Sequence, residues 1–199
     1  MFMRTPKNSL FKRKSGQIII ARLNDKILPV DRGLLYEDPL DIFLKEQRIG
    51  KVTGGGTQLT SDKEIEYAEI EIMITGRMNI LETTQSVIDK LEQLGAPKGS
   101  KLIYENQEIC FGKREGMAVY FDKSNTTDKD SSQYDVDDIA SSLANLIDTG
   151  IENQRYMELK NNKTLLCFYK DSFEDMRNSI AEYIDTCRFK QYIKIVQIA

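Results

Sequence analysis

The sequence contains no histidine. Histidine is the commonest general base at neutral pH and the commonest metal ligand, so its absence excludes Ser-His and Cys-His catalysis and the HExxH metalloprotease motif. Any catalysis would have to use carboxylates, lysine, tyrosine, cysteine or an oxygen-ligated cation such as magnesium. An enzyme is therefore less expected here than a non-catalytic protein.

Cysteine is also scarce. Cys110, Cys167 and Cys187 are odd in number and widely spaced, and no CxxC pair is present. Neither a disulfide framework nor a thiolate zinc site is indicated, so we expect three buried, reduced thiols.

Long apolar runs are missing as well. The N-terminal tail lacks the apolar core of a secretory signal. No later stretch approaches the roughly 18 consecutive apolar residues of a membrane span. We therefore expect a cytoplasmic protein without a membrane partner.

The charge is unevenly distributed along the chain. Lys and Arg number 28 against 31 Asp and Glu, a net charge of −3. Residues 1–16 contain five basic residues and no acidic one, which leaves −8 for residues 17–199. Nucleic-acid binding relies on Lys and Arg to neutralise phosphates, so a body this acidic makes nucleic acid an unlikely partner.

The predicted order of elements is strand-helix-strand-strand-helix-strand, and it occurs twice. In the first pass we predict strands over 17–23, 51–53, 66–74 and 101–105, with helices capped by Asp38 and Asn79. In the second pass we predict strands over 117–122, 155–159, 164–169 and 192–198, with helices that begin at Asp135 and Ser172. The helix caps thus recur 97 and 93 residues further along.

This repeated order predicts an α+β fold, a tandem duplication of a ferredoxin-like βαββαβ sandwich with antiparallel sheets and helices on one face. The expected parts are a basic flexible tail (1–16), a first unit (17–105) and a second unit (108–199), or one compact domain made of both units. Residues 106–108 would form the junction, and the polar segment 124–134 a flexible loop.

The cluster Gly54-Gly55-Gly56-Thr57 is the sharpest local motif. Consecutive glycines let backbone N–H groups approach an anion, and a following hydroxyl could bind phosphate. No GK[ST] follows, however, and the glycines lead into a strand instead of a helix N-terminus. A glycine bulge or a close backbone approach is the favoured interpretation.

Glu69 and Glu71 lie on one side of a predicted strand, about 7 Å apart. Such a pair could hold magnesium or act as acid and base. The first strand neighbours this one in a ferredoxin-like order, so Arg22 could face the pair and neutralise it. A salt-bridged sheet face is favoured over a metal site, and we expect no cofactor.

Residues 29–39 combine proline, glycine and both charges, which indicates a loop before the first helix, and loops often carry recognition residues. Turn formation and capping leave Arg32, Tyr36 and Glu37 unexplained, so these are binding candidates. Arg114 and Glu115, which enter the second unit, are candidates of the same standing.

Tyr120, Tyr156 and Tyr169 could stack nucleic-acid bases if they shared the second unit's open sheet face. No RNP-like run of glycine, aromatic and basic residues accompanies them. Core or interface tyrosines are the favoured account.

The segments LPVDRG, YEDPL, VTGGGT, EYAEIEI and LGAPKGS, together with the terminal IKIVQIA, span most of the chain. They resemble a pattern found in an uncharacterised family of bacterial proteins of similar length. The resemblance implies no activity, and it makes the GGGT and DRG segments features of that family.

Three functional hypotheses follow. The leading one is a non-catalytic protein-binding or regulatory protein, of inhibitor, immunity or adaptor type, that acts through an acidic sheet face on a protein partner or in a homodimer. The second is a magnesium-dependent phosphate-ester enzyme or nucleotide sensor that uses the GGGT segment and the paired glutamates. The third is an ACT-like small-molecule regulator with a ligand at an interface.

Overall fold

The computed structural model describes residues 16–75, 79–122 and 136–199. The first unit is a five-stranded antiparallel sheet in the spatial order β2-β3-β1-β4-β5. Its strands are β1 (Gln17–Leu23), β2 (Gly50–Leu59), β3 (Ile65–Ile74), β4 (Ser100–Tyr104) and β5 (Gln107–Phe111). Its helices are α1 (Pro29–Arg32), a π-helical turn (Gly33–Glu37), α2 (Asp38–Glu46) and α3 (Ile80–Gln93).

The second unit is a four-stranded antiparallel sheet in the order β7-β8-β6-β9. Its strands are β6 (Glu115–Asp122), β7 (Gln154–Leu159), β8 (Lys163–Lys170) and β9 (Ile193–Gln197), and its helices are α4 (Val136–Ile147) and α5 (Phe173–Thr186). With β5 set aside, both sheets have the same strand order and connections. This topology confirms the predicted pair of ferredoxin-like units.

Alternation along β3 shows why the sequence forms a sheet with one covered face. Ala68, Ile70, Ile72 and Ile74 are buried, whereas the residues between them point to the helix-free side. Each fully buried isoleucine contributes about 1.5–3 kcal/mol of transfer free energy. Asn79 and Ser172 cap α3 and α5 as predicted, since their side chains accept from the backbone N–H groups of Leu81 and Asp175.

The first helical segment begins at Pro29, so the prediction of a loop over 29–39 with a cap at Asp38 is wrong. Asp38 has helical dihedral angles and lies inside a continuous run. Pro39 cannot donate to the carbonyl of Leu35, and the preceding turn widens so that the Asp38 N–H bonds Gly33 O instead. The burial of Arg32 and Tyr36 fixes a segment whose composition alone indicated a loop.

Two further elements differ from the prediction. Strand β2 continues through the glycines to Leu59, with a register shift between Val52 and Gly54. Strand β5 was not predicted, and it begins within the expected junction at 106–108 and pairs with β4. Its turn places Glu105 at φ 53°, a conformation that glutamate seldom adopts, so the sequence carries no hairpin signal there.

Other predictions concern particular segments and side chains. The predicted loop at 124–134 and the helix start at Asp135 lie outside the described residues. Cys167 is buried and Cys187 partly buried, but Cys110 is exposed on β5, so the expectation of three buried thiols is wrong for Cys110. In the described ranges no helix is both long and apolar enough to cross a membrane.

The first unit covers the helix-free face of the second sheet. Ile65 packs there in one cluster with Ala118, Met157, Leu165, Cys167 and Tyr169. Tyr120 OH donates to Glu64 Oε1 at 3.1 Å, and the Lys26 N–H donates to Tyr169 OH at 2.9 Å. Tyr120 and Tyr169 are therefore interface residues, whereas Tyr156 lies on the opposite, helix-covered face beside Leu166.

Candidate functional site

A groove of about 590 Å³ lies where the two units meet. The segment 28–35 of the first unit forms one wall and Ala140 of α4 belongs to the other, while Tyr156, Leu166 and Phe168 of the second sheet form the floor. Its size falls within the range of about 300–1,000 Å³ that is typical of ligand and anchor sites.

Apolar side chains stand exposed around this groove. Leu28 is 45% exposed, Leu34 is 65% exposed and Ile151 is 85% exposed. They come from both units, so the patch exists only because the units pack as they do. Contiguous exposed apolar surface at the rim of a cavity marks a binding site more often than scattered residues do.

The charges at the groove fall into two classes. Its cations are already neutralised, because Lys26 pairs with Glu64 at 2.9 Å and Arg155 with Asp25 at 2.8 Å. The carboxylates of Asp31 and Glu152 are exposed and form no ion pair with any described residue. The mouth of the groove therefore carries net negative charge.

A buried charge cluster closes the inner end of the groove. Arg155 donates to Asp25 through two bonds, Nε to Oδ1 at 3.0 Å and Nη2 to Oδ2 at 2.8 Å, and Tyr36 OH donates to Oδ2 at 2.9 Å. The side chains of Asp25 and Arg155 are only 1% and 6% exposed. The geometry is the bidentate fork that guanidinium and carboxylate groups favour, with the second unit's cation held by the first unit's anion.

The same environment perturbs the titrating groups around the cluster. Burial, helped by the negative charge of Asp25, raises the pKa of Tyr36 and of Tyr169 well above the ordinary value. Burial is the largest single influence on Arg155 and would lower its pKa, but the charge of Asp25, the hydrogen bonds to Asp25 and the nearby Tyr36 and Tyr169 together raise that pKa. Both phenols stay protonated and Arg155 stays charged at neutral pH, so the cluster is a structural junction without an activated nucleophile.

Arg32, Glu37 and the glycine segment are brought together as a packing unit. The buried guanidinium of Arg32 donates to Glu37 Oε1, and its Nη1 donates to Gly56 O and to Thr57 Oγ1, each at 2.7 Å. A Cβ on Gly55 would lie 2.7 Å from Glu37 Oε1 and 2.7 Å from Glu69 O, so the close approach indicated by the glycines occurs at this residue. The Thr57 hydroxyl is thus already engaged by a neighbouring side chain.

Glu69 and Glu71 lie on the helix-free face of the first sheet, as expected. Arg22 donates to Glu69 at 2.7 Å and stacks over the Tyr67 ring at 4.2 Å, and the bond to Glu69 raises the pKa of Arg22. Glu71 accepts from Thr53 Oγ1 at 2.6 Å. The predicted neutralisation by Arg22 is present, and within the described ranges no three Cys, Asp or Glu side chains group as metal ligands.

Arg114 and Glu115 lie at the connection between the units. Arg114 donates to Asn153 Oδ1, and Glu115 pairs with Lys98 at 2.6 Å while it accepts from the Phe173 N–H at 2.7 Å. The bond from Lys98, followed by that from Phe173, lowers the pKa of Glu115. Arg114 and Glu115 therefore make internal contacts, Arg114 with Asn153 and Glu115 with Lys98 and Phe173.

The structure brings Arg32, Glu37, Gly55, Gly56 and Thr57 into one cluster and leaves the other candidates apart from it. Tyr36 belongs to the junction with Asp25. The groove residues were missed, although one signal was present: Leu34 and Leu35 are large apolar residues in a segment whose composition indicated a loop.

Comparisons with known proteins give no family. The sequence matches no family model, and no curated protein matches it. One similar solved structure is a candidate glycine cleavage system transcriptional repressor, with 10% identity over 92% of this chain and 96% of that chain at a TM-score of 0.29. Another is an unknown protein from Galdieria sulphuraria, with 7% identity over 92% and 98% at a TM-score of 0.29.

A third similar structure contains the first two RRM domains of yeast poly(U)-binding protein, with 11% identity over 91% of this chain and 99% of that chain at a TM-score of 0.24. Scores this low carry no argument about function.

Proposed function

We propose that this is a non-catalytic protein-binding protein of regulatory type, an inhibitor or adaptor, and that its partner docks in the groove between the units. The observation that carries the proposal is the convergence of Leu28, Leu34 and Ile151 from two units on one cavity of about 590 Å³. A molecule confined to the cavity would leave these rim side chains in water. A protein partner covers both the cavity and the rim.

The helix-free face of the first sheet is the weaker candidate surface. We expected it to be acidic, but Glu69 is paired with Arg22, and Glu108 is paired with Lys101 at 2.7 Å. These pairs neutralise two glutamates of the face, and Glu71 is hydrogen-bonded to the Thr53 hydroxyl, so the face attracts a cationic partner less than a fully unpaired acidic surface would. At the groove, Asp31 and Glu152 form no ion pair with any described residue.

The chemistry of the buried groups supports a non-catalytic role. Burial raises the pKa of the Cys167 thiol, which keeps it protonated, and Tyr36 and Tyr169 are protonated for the same reason. The guanidinium of Arg32 and the Thr57 hydroxyl bind each other. These buried side chains are thus occupied in internal contacts.

Native mass spectrometry of the protein gently purified from its source cells tests the proposal. We expect a stoichiometric protein companion on the wild type and its loss from a Leu34→Asp/Ile151→Asp variant. Ile42→Asp/Leu81→Asp is the matched control, because these side chains are 57% and 65% exposed and lie outside the groove and its walls. A companion that survives the groove variant, or a wild-type chain that is bare, would contradict the proposal.

A small-molecule regulator is the second candidate, and the volume of the groove favours it. In that case the same spectra would show an adduct of metabolite mass on the wild type and on the control variant, and none on the groove variant.

A further inference from the structure

We infer that the element bound by the groove is a basic amphipathic helix, whose apolar side lies on the floor of the groove and whose cationic side chains reach Asp31 and Glu152. This inference rests on the proposed function and adds the chemistry of the partner.

The sign of the partner's charge follows from the pairing around the groove. Lys26 and Arg155 are matched by Glu64 and Asp25, so neither is available to bind an anion. Asp31 stands on the helical wall and Glu152 on the opposite unit, and both are exposed. Cationic side chains of a partner can pair with these carboxylates, whereas an anionic partner would be repelled by them.

The shape of the groove favours a helix. Its floor is the β7-β8 part of the second sheet, which presents Tyr156, Leu166 and Phe168, and helical elements form the walls on both sides. A helix that packs on a sheet between two other helices completes a layer of the α+β sandwich. Anchors at positions i, i+3, i+4 and i+7 would then point at the floor.

An added β-strand fits less well. Strand β7 is the edge of the second sheet and borders the groove, but the carbonyl oxygens of Glu152 and Gln154 already accept from Arg155 Nη1 at 2.7 and 2.9 Å. Acceptors that a new strand would need at the start of β7 are therefore taken.

Two synthetic helical peptides of about 14 residues, or four turns, provide the probes. They share the same leucine and phenylalanine anchors and differ only in polar residues, which are lysine in one peptide and glutamate in the other. Binding is measured by fluorescence anisotropy with the full chain. We expect the lysine peptide to bind at least about tenfold more tightly, and this preference to shrink as salt rises from about 0.05 to 0.5 M.

Two protein variants separate the contributions. Asp31→Lys/Glu152→Lys is expected to weaken the lysine peptide about tenfold and to bring the two peptides close to equal affinity. The control Glu46→Lys/Glu66→Lys makes the same change of charge at exposed sites outside the groove and is expected to keep the preference. Melting curves of all variants establish that each is folded.

The outcomes distinguish this inference from the proposed function. If Leu34→Asp/Ile151→Asp abolishes binding of both peptides while the groove charge variant leaves their ratio unchanged, the groove binds protein but the basic helix is wrong. If neither peptide binds, the basic helix is wrong, and the proposed function is then decided by the native mass spectra alone. If the peptides bind and no variant affects their binding, the groove is not the binding site and both proposals fail. Equal loss of preference in the groove variant and in the control would also overturn the inference, because it would show a general charge effect.

Discussion

Asp25 of the first unit and Arg155 of the second form a bidentate ion pair that is almost wholly excluded from solvent. The pair crosses the interface between the units and stands directly behind the groove. Its two members are 130 residues apart in the sequence, so the contact forms only when both units have folded and docked.

Removal of one partner of this pair should be strongly destabilising. Arg155→Met leaves the carboxylate of Asp25 buried without its cation, which typically costs about 3–5 kcal/mol. We expect the double variant Asp25→Leu/Arg155→Met to lose less stability than Arg155→Met alone, because no buried charge remains. Urea unfolding of the wild type, of Asp25→Leu, of Arg155→Met and of the double variant measures the difference.

The control is Lys101→Met, which breaks an exposed pair with Glu108 and should leave the unfolding midpoint nearly unchanged. A double variant that is as unstable as the sum of both single changes would contradict a coupled pair.

Substitution of the glycines should separate packing from anion binding. Gly55→Ala places a Cβ 2.7 Å from the backbone oxygen of Glu69, and overpacking of this kind costs about 1–3 kcal/mol. Gly54 and Gly56 have no atom within 4 Å of the added position, so alanine at either residue should leave stability almost unchanged. Thermal unfolding of the three alanine variants provides the comparison.

Uniform effects across the three glycines would contradict a close contact that is specific to Gly55. A phosphate-dependent rise in the melting temperature that is lost in all three variants would instead revive the nucleotide hypothesis.

Stability should fall at alkaline pH. Burial raises the folded-state pKa of Tyr36 and Tyr169, so the stability that these phenols contribute is fully present below the unfolded value of about 10 and is lost as the pH rises further. Each contributes a slope of up to about 1.4 kcal/mol per pH unit in that range. Urea unfolding between about pH 9 and 11, with phenolate absorbance as the probe, measures it.

Tyr169→Phe removes one titrating phenol and should make the alkaline slope shallower by one such increment. An unchanged slope would mean that Tyr169 ionises normally in the folded protein. Below pH 9 the two proteins should show parallel pH dependence, because neither phenol titrates there.

The cysteines should react in a fixed order with a thiol reagent. Cys110 is exposed and should react first, Cys187 is partly buried and should follow, and Cys167 should react only on unfolding because it is buried and its thiol pKa is raised. Mass spectrometry of the labelled peptides after timed quenching identifies each site. Labelling of Cys167 in the native protein at the rate of Cys187 would show that the interface opens.

The elements were predictable where local pattern and tertiary role agree. A short isoleucine-rich run predicts β1, alternation predicts β3, and the side-chain oxygens of Asn79 and Ser172 mark two helix starts. The start of the first helix was not predictable, because proline and glycine at 29–39 favour a loop until the burial of Arg32 and Tyr36 is known.

The candidate residues predicted from the sequence include one spatial cluster but none of the residues that line the groove. Arg32, Glu37 and the glycines do lie together, but their bonds are with one another. The groove could not be predicted because Leu34 and Ile151 belong to different units. A sequence pattern reveals relationships between nearby residues, but not contacts between units. The role of Asp31 and Glu152 depends on Lys26 and Arg155 being paired with other acids. Those ion pairs join residues far apart in the sequence, so they become visible only in the folded structure.

The first unit covers the helix-free face of the second sheet, so the two similar folds differ in how much each depends on the other for burial of its apolar surface. If the chain were cut between β5 and β6, the second half would expose Tyr169, Leu165 and Cys167 to water, whereas Ile65 is the buried apolar residue that the first half contributes to this cluster. The carboxyl-terminal half therefore depends on the amino-terminal half to keep this apolar sheet face out of water. Because synthesis proceeds from the amino terminus, the first unit leaves the ribosome before the second. Its covering surface is therefore available when the second sheet forms.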